Sequence, residues 1–377
     1  MDVHQLLEQL LVAEISNRIP VVYWGTNCLY NGAIHNNAFD LYFDAVSHYT
    51  IEDLMNPEYT FYPPVWEYDN LMADDPDRST LIYRNMGDYL ESDANVVVCD
   101  TYSHIHQIIP SLCENNPAYG MNAIQVYRFL MRNKLKIKDD IKAEIQQFYE
   151  KHLQNERPTL AVHVRGDFSI DHSALIRELN RIFHSEFYKI QRSDQINAND
   201  TVKLHEIALI KRIKQSQKPN KDYHKEILRF LGKYNIKKIF LTTDSEEVLE
   251  EYKKLYGDML VTTDCSRMSQ FTKEKFHYLD THLTRRRKGM EILKDTYLAS
   301  MCDFFLGNGY SNFSHAVTRL KDWSETNIKL LYWILDKKIL PEYEVINEIQ
   351  YPENDFIDHF KRMSLFTSDL LNFRSRQ

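Results

Sequence analysis

Hydrophobic positions along this chain follow two different periods, and the switches between them mark out its elements. Residues 4–18 space Leu6, Leu7, Leu10, Leu11 and Ile15 at a helical interval. Arg18-Ile19-Pro20 then leads into the apolar run Val21-Val22-Tyr23-Trp24, which predicts a short strand closed by Gly25. Residues 38–90 are rich in aromatics and punctuated by Pro57, Pro63, Pro64 and Pro76, a loop signature. Asn95-Val96-Val97-Val98-Cys99 restores a strand pattern, and helical spacing returns over 122–133 and 138–153. Farther on, continuous apolar runs recur at 160–164, 238–242 and 303–306, with a weaker one at 259–262. Helical stretches at 222–233, 245–256 and 288–300 lie between or beside them. Strands of that kind, alternating with helices, predict βαβ units and a parallel sheet. Residues 180–222 read as a polar and basic insertion with its own helix near 202–214, and the end of the chain reads as helical.

At 377 residues the chain exceeds a typical single core, so two α/β domains are expected, with Arg157-Pro158 as the junction. A hydrophobic content of 43%, with 24 Tyr and 19 Phe, is ample for packed interiors. The net charge of −8 argues against a general nucleic-acid binder, which needs a basic face. The five cysteines are scattered and odd in number, as expected of buried thiols in a reducing compartment. No leader pattern opens the chain and no apolar run reaches bilayer length, so a cytoplasmic protein is expected. The histidines show no zinc spacing; His104-Ile105-His106 is a pair without a third ligand, and Gly-x-Ser-x-Gly is absent.

Three segments place polar groups at predicted strand ends, where open α/β sheets bind ligands. The first is Ala161-Val162-His163-Val164-Arg165-Gly166-Asp167. His163 and Arg165 are two apart and so share a strand face, Arg165 offers a planar fork of donors to a phosphate, and Gly166 permits a sharp turn. A structural pair between Arg165 and Asp167 accounts for the same residues. The second is Ile239 to Asp244, whose Thr242, Thr243 and Asp244 serve either as a helix cap or as contacts to a base or ribose. The third runs from Asp303 through Gly307-Asn308-Gly309 to Ser311-Asn312-Phe313-Ser314, ahead of a helix expected near His315. Small polar side chains and helix amides there make an anion site, or a loop capped by Ser314. Asp295 is the odd member of an apolar-leaning helix, and Arg285-Arg286-Arg287-Lys288 is either positive charge for a diphosphate or solvated surface. Thr-Thr-Asp occurs twice, at 242–244 and 262–264.

In this order the three clusters resemble the fucosyltransferase superfamily with the His-x-Arg-Arg-Gly-Asp or His-x-Arg-Gly-Thr-Asp motif. Its members include nodulation α1,6-, α1,2- and protein O-fucosyltransferases. His163 to Asp167 looks like that motif, one residue shorter, which leaves the register of Asp167 open and keeps that of Arg165. Ile239 to Asp244 is similar to the family's strand ending in a hydroxyl and Asp, and Asp295 to Ser314 to its helix–strand–turn segment. The stretches Asn17 to Trp24 and Phe39 to Phe43 also fit, so the likeness spans most of residues 5–320.

The resemblance implies a GT-B-type fold of two Rossmann-like domains with parallel sheets and a cleft between them. Its parts would be an acceptor-side domain at 1–157, a nucleotide-sugar-binding domain at 158–325, and helices at 326–377 that pack back. It implies a metal-independent, inverting transfer of fucose from GDP-fucose to a glycan or related acceptor. A different nucleotide-activated donor, or a catalytically silent nucleotide-binding protein, remains open. Arg165 would neutralise the leaving phosphate, and Ser311 and Asn312 would hold other phosphate oxygens. Asp244, with Asp295 supporting, would hold guanine or ribose, with His163, Gly166, Asp167 and Thr243 completing the donor site. Asp171 is favoured as the proton acceptor, ahead of Asp167 and His172.

Overall fold

The computed structural model describes residues 3–25, 28–31, 37–73, 86–100, 105–165, 221–268, 282–309 and 311–331. The insertion helix expected near 202–214 and the expected C-terminal helices beyond 331 lie outside them. All described residues belong to one compact unit of the chain.

In chain order, α1 (Val3–Ile15) is followed by β1 (Phe61–Tyr62), α2 (Met86–Glu91), β2 (Val96–Val97), α3 (Ile105–Ile108), α4 (Ala123–Lys134) and α5 (Asp139–His152). Then come β3 (Thr159–Val164), α6 (Lys221–Tyr234), β4 (Lys238–Thr243), α7 (Glu246–Tyr256) and β5 (Leu260–Val261). The last are α8 (His282–Met301), β6 (Phe304–Asn308), α9 (Asn312–Leu320) and β7 (Ile328–Leu331). The fold is mixed α/β with two parallel sheets: β1 pairs with β2, and five strands run in the order β5-β4-β3-β6-β7.

The central strand β3 is buried along its whole length, as its apolar run demands. Alternate residues face opposite layers. Leu160, Val162 and Val164 join Tyr223, Ile227 and Phe230 of α6 and Val248 and Tyr252 of α7 in one core. The other face meets the helices of the N-terminal half, where Phe148 of α5 lies 6.2 Å from the Phe240 ring. At the start of β3, where the domain junction was expected, Asp303 accepts from Arg157 Nε at 2.9 Å and from the Thr159 amide at 2.8 Å. That carboxylate ties β3 to the turn that launches β6.

The N-terminal helices are fastened to the sheet through α4. Its start is a capping box, in which Asn122 and Gln125 each accept the other's amide. Arg319 of α9 is buried with its guanidinium 4.0 Å from the Tyr127 ring centroid. Arg128 and Arg132 reach Asp322 just beyond α9, at 3.2 and 3.0 Å.

Four local expectations are corrected. Val21-Val22-Tyr23-Trp24 forms no strand, because Asn37 takes over its backbone bonds: Asn37 Nδ2 donates to Val22 O at 2.8 Å, and the Trp24 amide donates to Asn37 Oδ1 at 2.9 Å. The helix around Asp295 starts earlier than residue 288, at His282, and α9 starts at Asn312 instead of near His315. Ile328–Leu331, placed among the terminal helices, is instead the fifth strand, in register with Phe305 to Asn308. Its β6 partner supplies the ladder that a sequence pattern cannot reveal.

Gly307 on β6 lets α9 approach closely. A Cβ there would lie 2.6 Å from Ser314 Oγ and 2.7 Å from the Phe305 ring. Gly307→Ala is therefore expected to destabilise the protein by about 1–3 kcal/mol through overpacking. The denaturant midpoint measures it, and an unchanged midpoint would show that the edge of β6 is loosely packed.

Candidate functional site

β3 and β4 end side by side, with His163 opposite Thr242 and Val164 opposite Thr243. The chain winds from β3 to β4 and β5 on one side and to β6 and β7 on the other. The carboxyl ends of β3 and β6 therefore flank the point where strand order reverses, the place where such sheets bind ligands. A cavity of about 290 Å³ opens there. It is lined by His163, Arg165, Thr243, Asp244, Asp295, Ser311 and Asn312, which are all the candidate site residues within the described part of the chain. Gly166, Asp167, Asp171 and His172 lie outside the described residues.

His163 is held from two sides. Its Nδ1 is 2.9 Å from Ser314 Oγ and its ring lies against Phe313, with centroids 4.4 Å apart. The same Ser314 oxygen accepts the Asn308 amide at 3.0 Å. Burial, helped by the Arg165 charge, pushes His163 down to about 3, so the ring is neutral at physiological pH. Arg165 stands exposed at the cavity, and no carboxylate among the described residues pairs with it.

The capping alternatives are resolved by the hydrogen bonds. Ser245 caps α7, its Oγ accepting the Val248 amide at 3.1 Å, and Thr243 Oγ1 accepts the Ser245 amide at 3.2 Å. Asp244 lines the cavity while Ser245 does the capping. Ser314, the expected cap of the last helix, is instead a fully buried residue inside α9. Ser311 occupies the cap position, but its side chain makes no capping bond and is turned to the cavity lining.

Asp295 of α8 is buried and accepts from Thr263 Oγ1 at 2.6 Å. Burial raises its carboxyl to about 6, against the opposing pull of the Thr263 hydrogen bond and the Arg267 charge. One turn earlier Glu291 accepts the Ser266 amide at 3.0 Å and Arg287 Nε at 2.6 Å. Within the expected basic cluster, Arg287 is thus tied to Glu291, whereas Lys288 is buried against the cavity.

Thr263, Cys265, Ser266 and Glu291 were not identified from the sequence, although Cys265, Ser266 and Glu291 line the cavity and Thr263 bonds Asp295. The loop that holds Thr263, Cys265 and Ser266 returns beside β4, where the Met268 amide donates to Asp244 O at 2.9 Å. The signal was the second Thr-Thr-Asp, which follows β5 directly, while the first closes β4. Tyr30 and Phe43 of the N-terminal half complete the wall. Among the described residues no group of His, Cys, Asp or Glu could hold a metal ion, and no helix is long and apolar enough to cross a membrane.

No protein-family model matches the chain, and no curated protein matches it. Among solved structures it is similar to the NodZ alpha-1,6-fucosyltransferase soaked with GDP-fucose, at 16% identity and a TM-score of 0.43, over 84% of this chain and 86% of that one. It is similar to the fucosyltransferase NodZ from Bradyrhizobium at 17% identity and a TM-score of 0.43, over 83% and 86% of the two chains. The apo form of POFUT1 is similar at 13% identity and a TM-score of 0.45, over 87% and 93%.

The neutral burial of His163 has a pH signature. Its folded value, about 3, lies below the unfolded 6.5, so only the unfolded chain takes up the proton between them. Stability from this residue is present above pH 6.5 and lost as pH falls toward 3, by on the order of 2 kcal/mol between pH 7 and 5. His163→Gln should lose less stability than the wild type over that interval, as read by denaturant titration. Equal losses would mean that the ring titrates freely in the folded state.

Proposed function

We propose that the chain is a GT-B-type glycosyltransferase that moves fucose from GDP-fucose to a glycan or related acceptor, in one inverting displacement without a divalent metal. The observation that carries this reading is the meeting of three separate strand-end segments, with Asp295 of α8, around one cavity. The divided labour follows from the chemistry of each wall. Arg165 is a permanent, planar cation, suited to the charge that develops on the leaving diphosphate. The hydroxyl of Ser311 and the first amides of α9 offer donors to the remaining phosphate oxygens. Across the cavity stand Asp244 and Asp295. Guanine presents adjacent N–H donors on its Watson–Crick edge, which one carboxylate can accept together, and ribose hydroxyls suit the second carboxylate. Thr243 and neutral His163 supply polar wall without adding charge. Gly166 and Asp167, next to Arg165 in the sequence, are assigned to the donor site, and Asp171 is assigned as the proton acceptor for the attacking hydroxyl.

Arg165→Ala should lower fucose transfer from GDP-fucose by about 100- to 1000-fold, with transfer by the wild type unchanged in EDTA. Radiolabelled or coupled GDP-release assays read this directly. A wild-type protein that neither binds nor turns over GDP-fucose overturns the reading, and GDP binding without turnover against broad acceptors favours a silent nucleotide-binding protein.

The Asp295 carboxyl adds a second test. Raised to about 6, it is ionised and able to accept two donors above that pH, and protonated below it. GDP affinity should therefore fall as pH is lowered through 6, beyond the fall caused by titration of the phosphate itself. Asp295→Asn carries only the phosphate part, so calorimetric titrations of the two proteins across pH 5 to 7.5 should diverge. Parallel curves would remove Asp295 from the base contact.

A further inference from the structure

Tyr30 comes from the N-terminal half, is 6% exposed, and lines the same cavity as Arg165. Among the described residues its hydroxyl has no hydrogen-bond partner. Burial above all pushes the phenol up to about 12, which keeps it a neutral O–H at physiological pH.

Its backbone is braced with unusual care. Tyr42, fully buried, donates its hydroxyl to Tyr30 O at 2.6 Å and stands 3.3 Å from Arg286 O on α8. The Tyr42 ring can rest there because residue 289 is glycine. A Cβ at that position would lie 2.4 Å from both Cζ and Oη of Tyr42. The helix that carries Asp295 and Glu291 thus sets the position of Tyr42, and Tyr42 sets that of Tyr30. The buried Tyr42 hydroxyl needs an acceptor, and the one it takes fixes the Tyr30 backbone and so narrows where the Tyr30 hydroxyl can stand.

We propose that Tyr30 donates a hydrogen bond to the terminal phosphate of the bound nucleoside diphosphate, beside Arg165, and that Tyr42 on Gly289 is its positioning support. This rests on the nucleotide reading given above. The neutral donor shares the phosphate with the cation and supplies a contact that a nucleoside monophosphate cannot use.

Calorimetry with GDP and with GMP tests it. Tyr30→Phe removes one oxygen and should weaken GDP binding about tenfold while leaving GMP binding unchanged. Tyr42→Phe keeps Tyr30 itself and should weaken GDP several-fold, again sparing GMP; it decides the matter if the Tyr30 variant does not fold. Equal GDP affinity in wild type and both variants, or equal losses for GDP and GMP, overturns the proposal and leaves the nucleotide reading standing. A wild-type protein that binds no GDP overturns both.

Discussion

The site depends on one close approach, that of the Ser314 hydroxyl to strand β6. The oxygen sits where a side chain on residue 307 would otherwise be, takes the Asn308 amide and meets His163 on β3. One atom therefore joins the two central strands to the first turn of α9. Because Ser311 and Asn312 precede it on that same turn, their position over the sheet edge is set by this contact. Buried donors and acceptors left unmade cost more than the net value of an ordinary hydrogen bond, which makes the arrangement close to all-or-none. The glycine is the enabling feature, and the polar pattern around it is its consequence.

The same burial that holds the site together also sorts its charges. Desolvation penalises whichever form of a group is ionised, so it drives His163, Tyr30 and Cys265 toward neutrality and leaves Asp295 poised near 6. Guanidinium resists that pressure because its proton is held too tightly to be lost. Arg165 stands exposed at the same cavity.

A second constraint binds the N-terminal helices to the sheet. Arg319 beneath Tyr127, and Asp322 between Arg128 and Arg132, join α4 to α9 over a surface that is partly buried and partly charged. The exposed arginine–aspartate pairs add little free energy on their own; the buried cation over an aromatic ring adds more. What they contribute together is orientation, since α9 also carries the cap residue of the cavity. Tyr30 and Phe43 reach the cavity from this side, so its shape depends on that alignment.

Much of the scaffold was legible in the sequence because apolar runs report burial directly. A strand with both faces covered must be hydrophobic throughout, and β3, β4 and β6 declare themselves in that way. Their polar ends at Arg165, Asp244 and Ser311 were legible for the same reason, as breaks in those runs. Val21 to Trp24 misled, since four apolar residues fit a strand equally well whether a neighbouring backbone or the Asn37 side chain takes their hydrogen bonds. Ile328–Leu331 was missed because a short edge strand exists only by virtue of its partner. Sequence alone determined that β3, β4 and β6 are strands of a parallel sheet and which polar residues end them, because periodicity is a local property. Tertiary structure alone decided that Ser314 serves His163, and that Tyr30, Glu291 and the 262–268 loop face the same cavity. Those are contacts between residues far apart in the chain, and local pattern carries no record of them.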